Sequence, residues 1–242
     1  MSALAKLERL KTLYLSFNQL TDVSPLAMLA QLEALHLIGN QITDVDTLVG
    51  LAQLKTLILS DNKLTNVSSL AKLKQLKYLH LGSNKKIDPN TLAKLTQLTT
   101  LGLDSNRLTD VSALSELRQL QSLYLGSNHL TDVCPLAKLT QLKDINIEND
   151  QLTDISPLAK LTQLERLRLY GNELTDVGPL AKLTKLEDLH LTGNQLTDVS
   201  ILAGLTNPKG LYLADNPDLT KAQIGQLKKA LPKCDINHNA KK

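Results

Sequence analysis

The chain has 242 residues, 42% of them apolar but only 2% aromatic, with no Trp and a single Phe. That apolar share excludes a disordered chain and requires a core made almost wholly of leucine and other aliphatic side chains. The 27 basic and 24 acidic residues leave a net charge of +3, too small for a nucleic-acid-binding or membrane-attracting field, and no run of about eighteen apolar residues could span a bilayer.

The opening residues, MSALAKLERL, lack the long apolar stretch of a signal peptide, so the sequence reads as that of a soluble chain. Leu4 and Leu7 already stand in the register of the later repeats, which predicts an open first coil or a chain cut from something longer. Asn18, Asn40, Asn62, Asn84, Asn106, Asn128, Asn172, Asn194 and Asn216 fall on one 22-residue grid, broken only by Asp150. The surrounding text repeats as LKTLYLSFNQLTDVSPLAML at 10–29, LERLRLYGNELTDVGPLAKL at 164–183 and LEDLHLTGNQLTDVSILAGL at 186–205. Ten turns without insertion or deletion predict a solenoid, in which each unit buries its apolar face only against its neighbours.

Within a unit, Leu167 and Leu169, or Leu189 and Leu191, alternate with residues that face out, the period-two pattern of a short half-buried strand. The Asn after each strand both donates and accepts, which suits an inward ladder satisfying backbone groups of adjacent coils. Asp150 lacks the donor when ionised, so a local irregularity is expected there, with Asn149 substituting. The return segment TDVSPLAKL offers Asp or Ser as a cap and Pro at the first helical position, enough for one helical or 3₁₀ turn. Two units, NKKIDPNTL at 84–92 and NPDLTKAQI at 216–224, shift their Ile or Leu by one position before Leu92 and Ile224 restore register. Pro208 stands where preceding units have Leu, tolerable where a strand begins but a smaller core filler. At the end, LTKAQIGQLKKALPKCDI predicts an amphipathic helix with Ile224, Leu227 and Leu231 on one face, stopped by Pro232.

The signature LxxLxLxxNxL, in register over 4–227, resembles the leucine-rich repeat family, in particular the 22-residue bacterial class typified by internalins, and is similar to the short repeats of phosphatase regulators. The resemblance implies an α/β, right-handed solenoid: a parallel β-sheet on the concave side, short 3₁₀ or helical turns on the convex side and a C-terminal capping helix. The expected division is 1–220 as the solenoid of ten repeats and 221–242 as capping helix and basic tail. Neither the helical N-terminal cap nor the immunoglobulin-like segment of internalins is legible.

In such a solenoid, packing fixes the core columns, and only outward columns can encode a ligand. The central outward column reads Tyr14, His36, Ile58, His80, Gly102, Tyr124, Asn146, Arg168, His190, Tyr212. Its neighbours include Tyr78, Asp144, Arg166 and Asp188 on one side and Glu148 and Tyr170 on the other, with Phe17 just beyond. All six aromatics lie in or beside these columns, and large rings and guanidinium groups concentrate protein-binding energy. Strand propensity is the plainer explanation of Tyr and Thr there. Asp144, Arg166 and Asp188, beside Asn146, Arg168, His190, Glu148 and Tyr170, read either as a charged hot spot or as an exposed ladder of compensating charges worth about 0–1 kcal/mol per pair.

No phosphate-binding glycine loop, nucleophile elbow or metal-ligand spacing is present, so neither catalysis, a cofactor nor a metal is expected. Cys134 and Cys234 belong to coils about 19 Å apart and read as free thiols, which leans towards a reducing compartment without fixing one. Lysines of the return side alternate with acids, unlike a nucleic-acid track. The sequence thus points to a non-catalytic module binding a protein or peptide on its concave sheet. A ligand-free or engineered scaffold, and a regulatory subunit docking on an enzyme such as a phosphatase, remain as alternatives. An open N-terminal coil would offer an unpaired strand for self-association.

Overall fold

The computed structural model describes residues 7–84 and 87–241. Leu4, Lys85 and Lys86, on which parts of the register argument rest, lie outside the described residues. Each unit contributes a three-residue strand: β1 (Thr12–Tyr14), β2 (Ala34–His36), β3 (Thr56–Ile58), β4 (Tyr78–His80), β5 (Thr100–Gly102), β6 (Ser122–Tyr124), β7 (Asp144–Asn146), β8 (Arg166–Arg168), β9 (Asp188–His190) and β10 (Gly210–Tyr212). A helix, α1 (Lys221–Ala230), and a final strand, β11 (Asp235–Asn237), complete the chain.

Among the described residues the strands form one parallel sheet in sequence order, β1 to β11. Register follows the 22-residue period, Tyr14 facing His36 and His36 facing Ile58. Between β10 and β11 the offset grows to 25, Gly210 facing Asp235, because α1 replaces the shorter return turn. The expected cap and tail over 221–242 omits β11, whose single buried residue, Ile236, offers no alternation to detect.

The return turns are 3₁₀, as at Ser24–Met28, Cys134–Lys138 and Ser156–Lys160. The residue before each carries no side-chain cap: Val23, Val133 and Ile155 are there to fill the core. The cap comes from one residue further back. Asp22 Oδ1 accepts from the Ser24 amide at 2.8 Å while the Ser24 hydroxyl donates to Oδ2 at 2.8 Å, and Asp154 with Ser156 repeats the arrangement. Asp88 alone holds the expected position, accepting from Asn90, and heads the shortened Pro89–Leu92 turn. Ile87 and Leu219 are buried despite their displaced positions.

Leucines from every coil stack into one continuous core, most of them with no exposed surface. The Asn column is its polar spine. Asn62 Oδ1 accepts from the Ile42 amide at 3.0 Å, and its Nδ2 donates to Leu37 O of the preceding coil at 2.9 Å and to Leu59 O of its own at 3.0 Å. Asp150 causes no irregularity and Asn149 does not take its place: Asp150 Oδ1 accepts from Leu130 N at 2.7 Å, as an Asn would. What changes is chemical. Its Oδ2 is buried without a partner, and burial raises the carboxyl to about 6.

The residue before each Asn is left-handed in every unit, for example Asp61, Ser83, Ser127 and Asn149 between φ 52° and 59°, and Gly39 at 66°. This turn swings the Asn inward, and Gly, Asn, Asp and short polar residues tolerate it best. Helix α1 opens with a capping box, Thr220 Oγ1 accepting from Gln223 N and Gln223 Oε1 accepting from Thr220 N at 2.9 Å. It buries Ile224 and Leu227 over the last coil. At the other end Leu7 is 47% exposed and Leu10, Leu13, Leu15 and Leu20 are only partly buried.

Candidate binding face

The outward columns lie on the open side of the sheet, and none of their aromatic rings enters the leucine stack. Tyr14 is 69% and Phe17 79% exposed, while Tyr78, Tyr124, Tyr170 and Tyr212 are half-buried against neighbouring strands. Parallel register turns sequence spacing into ring contacts: Tyr14 meets His36 at a centroid distance of 4.4 Å, and His190 stacks on Tyr212 at 4.1 Å. Tyr78 and His80 stack at 4.8 Å, and His80 meets Tyr124 at 5.6 Å. Ile58 sits between His36 and His80 in the same column. Burial lowers all three histidines below the usual imidazole value.

Phe17 departs from its column. It holds the left-handed turn at φ 57° where its counterparts are Gly, Ser, Asn or Asp, and its ring lies over Gly39, where a Cβ would come within 2.6 Å of Cδ1. A bulky residue in that conformation is strained, and strain of this kind gathers at functional positions.

The charged group is neither an exposed ladder nor an even alternation. Asp144 is 4% exposed and receives both guanidinium groups, Arg166 Nε on Oδ2 at 2.9 Å and Arg168 Nη1 on Oδ1 at 2.9 Å. The Tyr124 hydroxyl donates to Oδ2 at 3.4 Å. Hydrogen bonding to Asp144 raises Arg166 further, and burial raises the Tyr124 hydroxyl. Asp188 lies beside Arg166 in register but makes no ion pair among the described residues. Asn146 Oδ1 accepts from Glu148 N at 3.1 Å, and burial and Glu148 both raise the Tyr170 hydroxyl.

A packing arrangement around three outward glycines beside β4 to β6 escaped the sequence reading. Gly102 ends β5, and Gly82 and Gly126 follow β4 and β6 by two residues; none of the three contributes a side chain to the face. The His80 ring lies over Gly102 and the Glu148 stem over Gly126, with Asp104 between Gly82 and Gly126. Three outward glycines in consecutive coils were the available signal.

A right-handed stack of parallel strands with inward leucines and an Asn spine is a solenoid of the leucine-rich class. Five segments, 8–50, 52–94, 96–138, 118–160 and 162–204, match leucine-rich repeats taken two copies at a time, and the chain belongs to the leucine-rich repeat family. It is similar to the structure of an internalin, InlF, from Listeria monocytogenes, at 33% identity and a TM-score of 0.87, covering all of this chain and 71% of that one. A leucine-rich repeat protein from Leptospira interrogans is 30% identical with a TM-score of 0.89, over 98% of this chain and 62% of that one. TLR13, in its complex with a single-stranded RNA, shares the fold at 22% identity and a TM-score of 0.78, over 98% of this chain and 37% of that one. No curated protein matches the chain by sequence. Leucine-rich repeats are typically protein-interaction modules and generally non-catalytic. Among the described residues no helix is long and apolar enough to cross a membrane.

Proposed function

We propose that the chain is a non-catalytic binding module: residues 1–220 present the concave sheet to a protein or peptide, and 221–242 close the far end. The observation that carries this reading is that all six aromatic side chains occupy the open face, four of them in ring contacts with histidines, while the core uses none. Internalin-type relatives support the class of function. The contact set comprises Tyr14, Phe17, His36 and Ile58 at one end, Tyr78, His80 and Tyr124 in the middle, and Asp144, Asn146, Glu148, Arg166, Arg168, Tyr170, Asp188, His190 and Tyr212 towards the other.

The test uses rings that lie outside the leucine core. In one variant Tyr14 and Phe17 become alanine; in a second, Tyr170 and Tyr212 do. At least one should weaken capture of an identified partner by about tenfold or more, since buried aromatic anchors are worth about 2 kcal/mol or more at an interface. Unchanged capture by both, with native melting curves, would overturn the reading. Arg168 is a poor probe because it also neutralises buried Asp144.

A further inference from the structure

Neighbouring coils are stapled by the spine: each Asn donates its amide to a carbonyl of the coil before, from Asn40 to Leu15 O at 3.0 Å, through Asn128 to Leu103 O at 3.1 Å, to Asn216 to Leu191 O at 3.0 Å. The junction between β6 and β7 is the exception. Asp150 holds the spine position there, and the atom that would donate to Leu125 O is a carboxylate oxygen, Oδ2, buried without a partner. When ionised, it can only repel that carbonyl.

Side chains do not replace the missing staple. Among the described residues no ion pair crosses from β6 to β7, and the Tyr124 hydroxyl reaches Asp144 only at 3.4 Å. The next junction is the opposite case. Lys143 meets Glu165 at 3.5 Å, both guanidiniums close on Asp144 at 2.9 Å, and Asn172 donates to Ile147 O at 2.7 Å. The coil of β7 is thus tied firmly to the coil after it and weakly to the one before.

The leucine core and the backbone ladder run unbroken through the weak junction, Leu125 N donating to Asn146 O at 2.8 Å, so the native stack stays closed. What differs is the ease of opening. Where coils touch only their neighbours, stability is a sum over coils and junctions, and partial opening is bounded by the weakest junction. Asn128 and Asn172 flank Asp150 in the spine without charge. Burial raises its carboxyl to about 6, against the Leu130 and Asn128 amides and His129, which favour the ionised form; the Glu148 charge adds to the rise.

We infer that the solenoid consists of two cooperative blocks, the coils of β1 to β6 and those of β7 to β10 with their cap, which meet at Asp150 and fuse into one when that carboxyl takes up a proton.

Hydrogen exchange of the full chain, followed peptide by peptide by mass spectrometry at pH 7.5 and 4.5 and divided by the intrinsic rate at each pH, tests this. At pH 7.5 protection should step between β6 and β7, and at pH 4.5 the opening constant of the less protected block should fall by about tenfold or more. Asp150→Asn should abolish the step at both pH values and lower that opening constant by about a hundredfold at pH 7.5. Adding Asn194→Asp to that variant should move the step to the junction of β8 and β9, where Asn194 donates to Leu169 O. A step elsewhere, uniform protection at pH 7.5, or a step that persists in Asp150→Asn would overturn the inference. So would an Asp150→Asn protein that slows exchange equally in every coil.

Discussion

Replacing Asp150 by Asn exchanges one atom, Oδ2 for Nδ2, at the only acid in the polar spine. In the neighbouring units Nδ2 has two carbonyl partners: Asn172 donates to Ile147 O at 2.7 Å and Leu169 O at 3.1 Å, and Asn128 donates to Leu103 O at 3.1 Å and to Leu125 O. The corresponding carbonyls for position 150 are Leu125 O and Ile147 O, which repel an ionised oxygen and accept from a protonated one. Burial raises the folded carboxyl to about 6, against about 3.9 in the unfolded chain. Between those values the folded state binds more protons, so stability is full below pH 4 and falls as pH rises to about 6. The deficit at higher pH is about two pKa units, or about 3 kcal/mol. Asp150→Asn should therefore stabilise the protein by about 3–4 kcal/mol at pH 7.5, the excess coming from restored hydrogen bonds, and by only about 1 kcal/mol at pH 3.5. Paired thermal or urea melts from pH 3.5 to 8 measure the difference, in which the many other titrating groups cancel. A difference that does not change with pH, or a less stable Asn variant at pH 7.5, refutes the reasoning.

Asp144→Ala strands two guanidiniums that converge on a carboxylate of 4% exposure, and it should destabilise by about 3 kcal/mol; chemical denaturation decides, and a loss below about 1 kcal/mol would show that the pair behaves as a surface contact. Gly102→Ala puts a methyl 2.5 Å from His80 Nδ1 and should drive the ring off the strand. His80, now held below the usual imidazole value by burial, should then titrate closer to 6.5 by NMR, and an unmoved His80 would contradict the packing described.

The solenoid was legible because a strict period repeats its own proof: the Asn column holds in nine of ten units, the aliphatic columns recur beside it, and Ile87 and Leu219 keep their burial although displaced by one residue. The placement of the rings followed from the same alternation. Depth was not legible. Asp144 and Asp188 occupy equivalent positions, yet only Asp144 is buried, because two arginines fold over it and Tyr124 closes its side. Nor does periodicity say what an absent side chain does, so the packing of the His80 ring over Gly102 emerges only in the structure. Asp150 stands out in the sequence, but the backbone irregularity expected of it does not occur. The chain holds its course because one carboxylate oxygen suffices to accept from Leu130 N, and the mismatch appears in proton affinity instead.

From the second coil on, the spine amides bond to their own coil and the one before, as Asn62 does to Leu59 and Leu37. Whole units can therefore be added or removed without retuning the survivors. Every such step lengthens or shortens the docking surface by one strand spacing, about 4.8 Å. The fold is in this sense a ruler whose graduations are interchangeable, and its reach along a partner can be set independently of the chemistry inscribed on each mark.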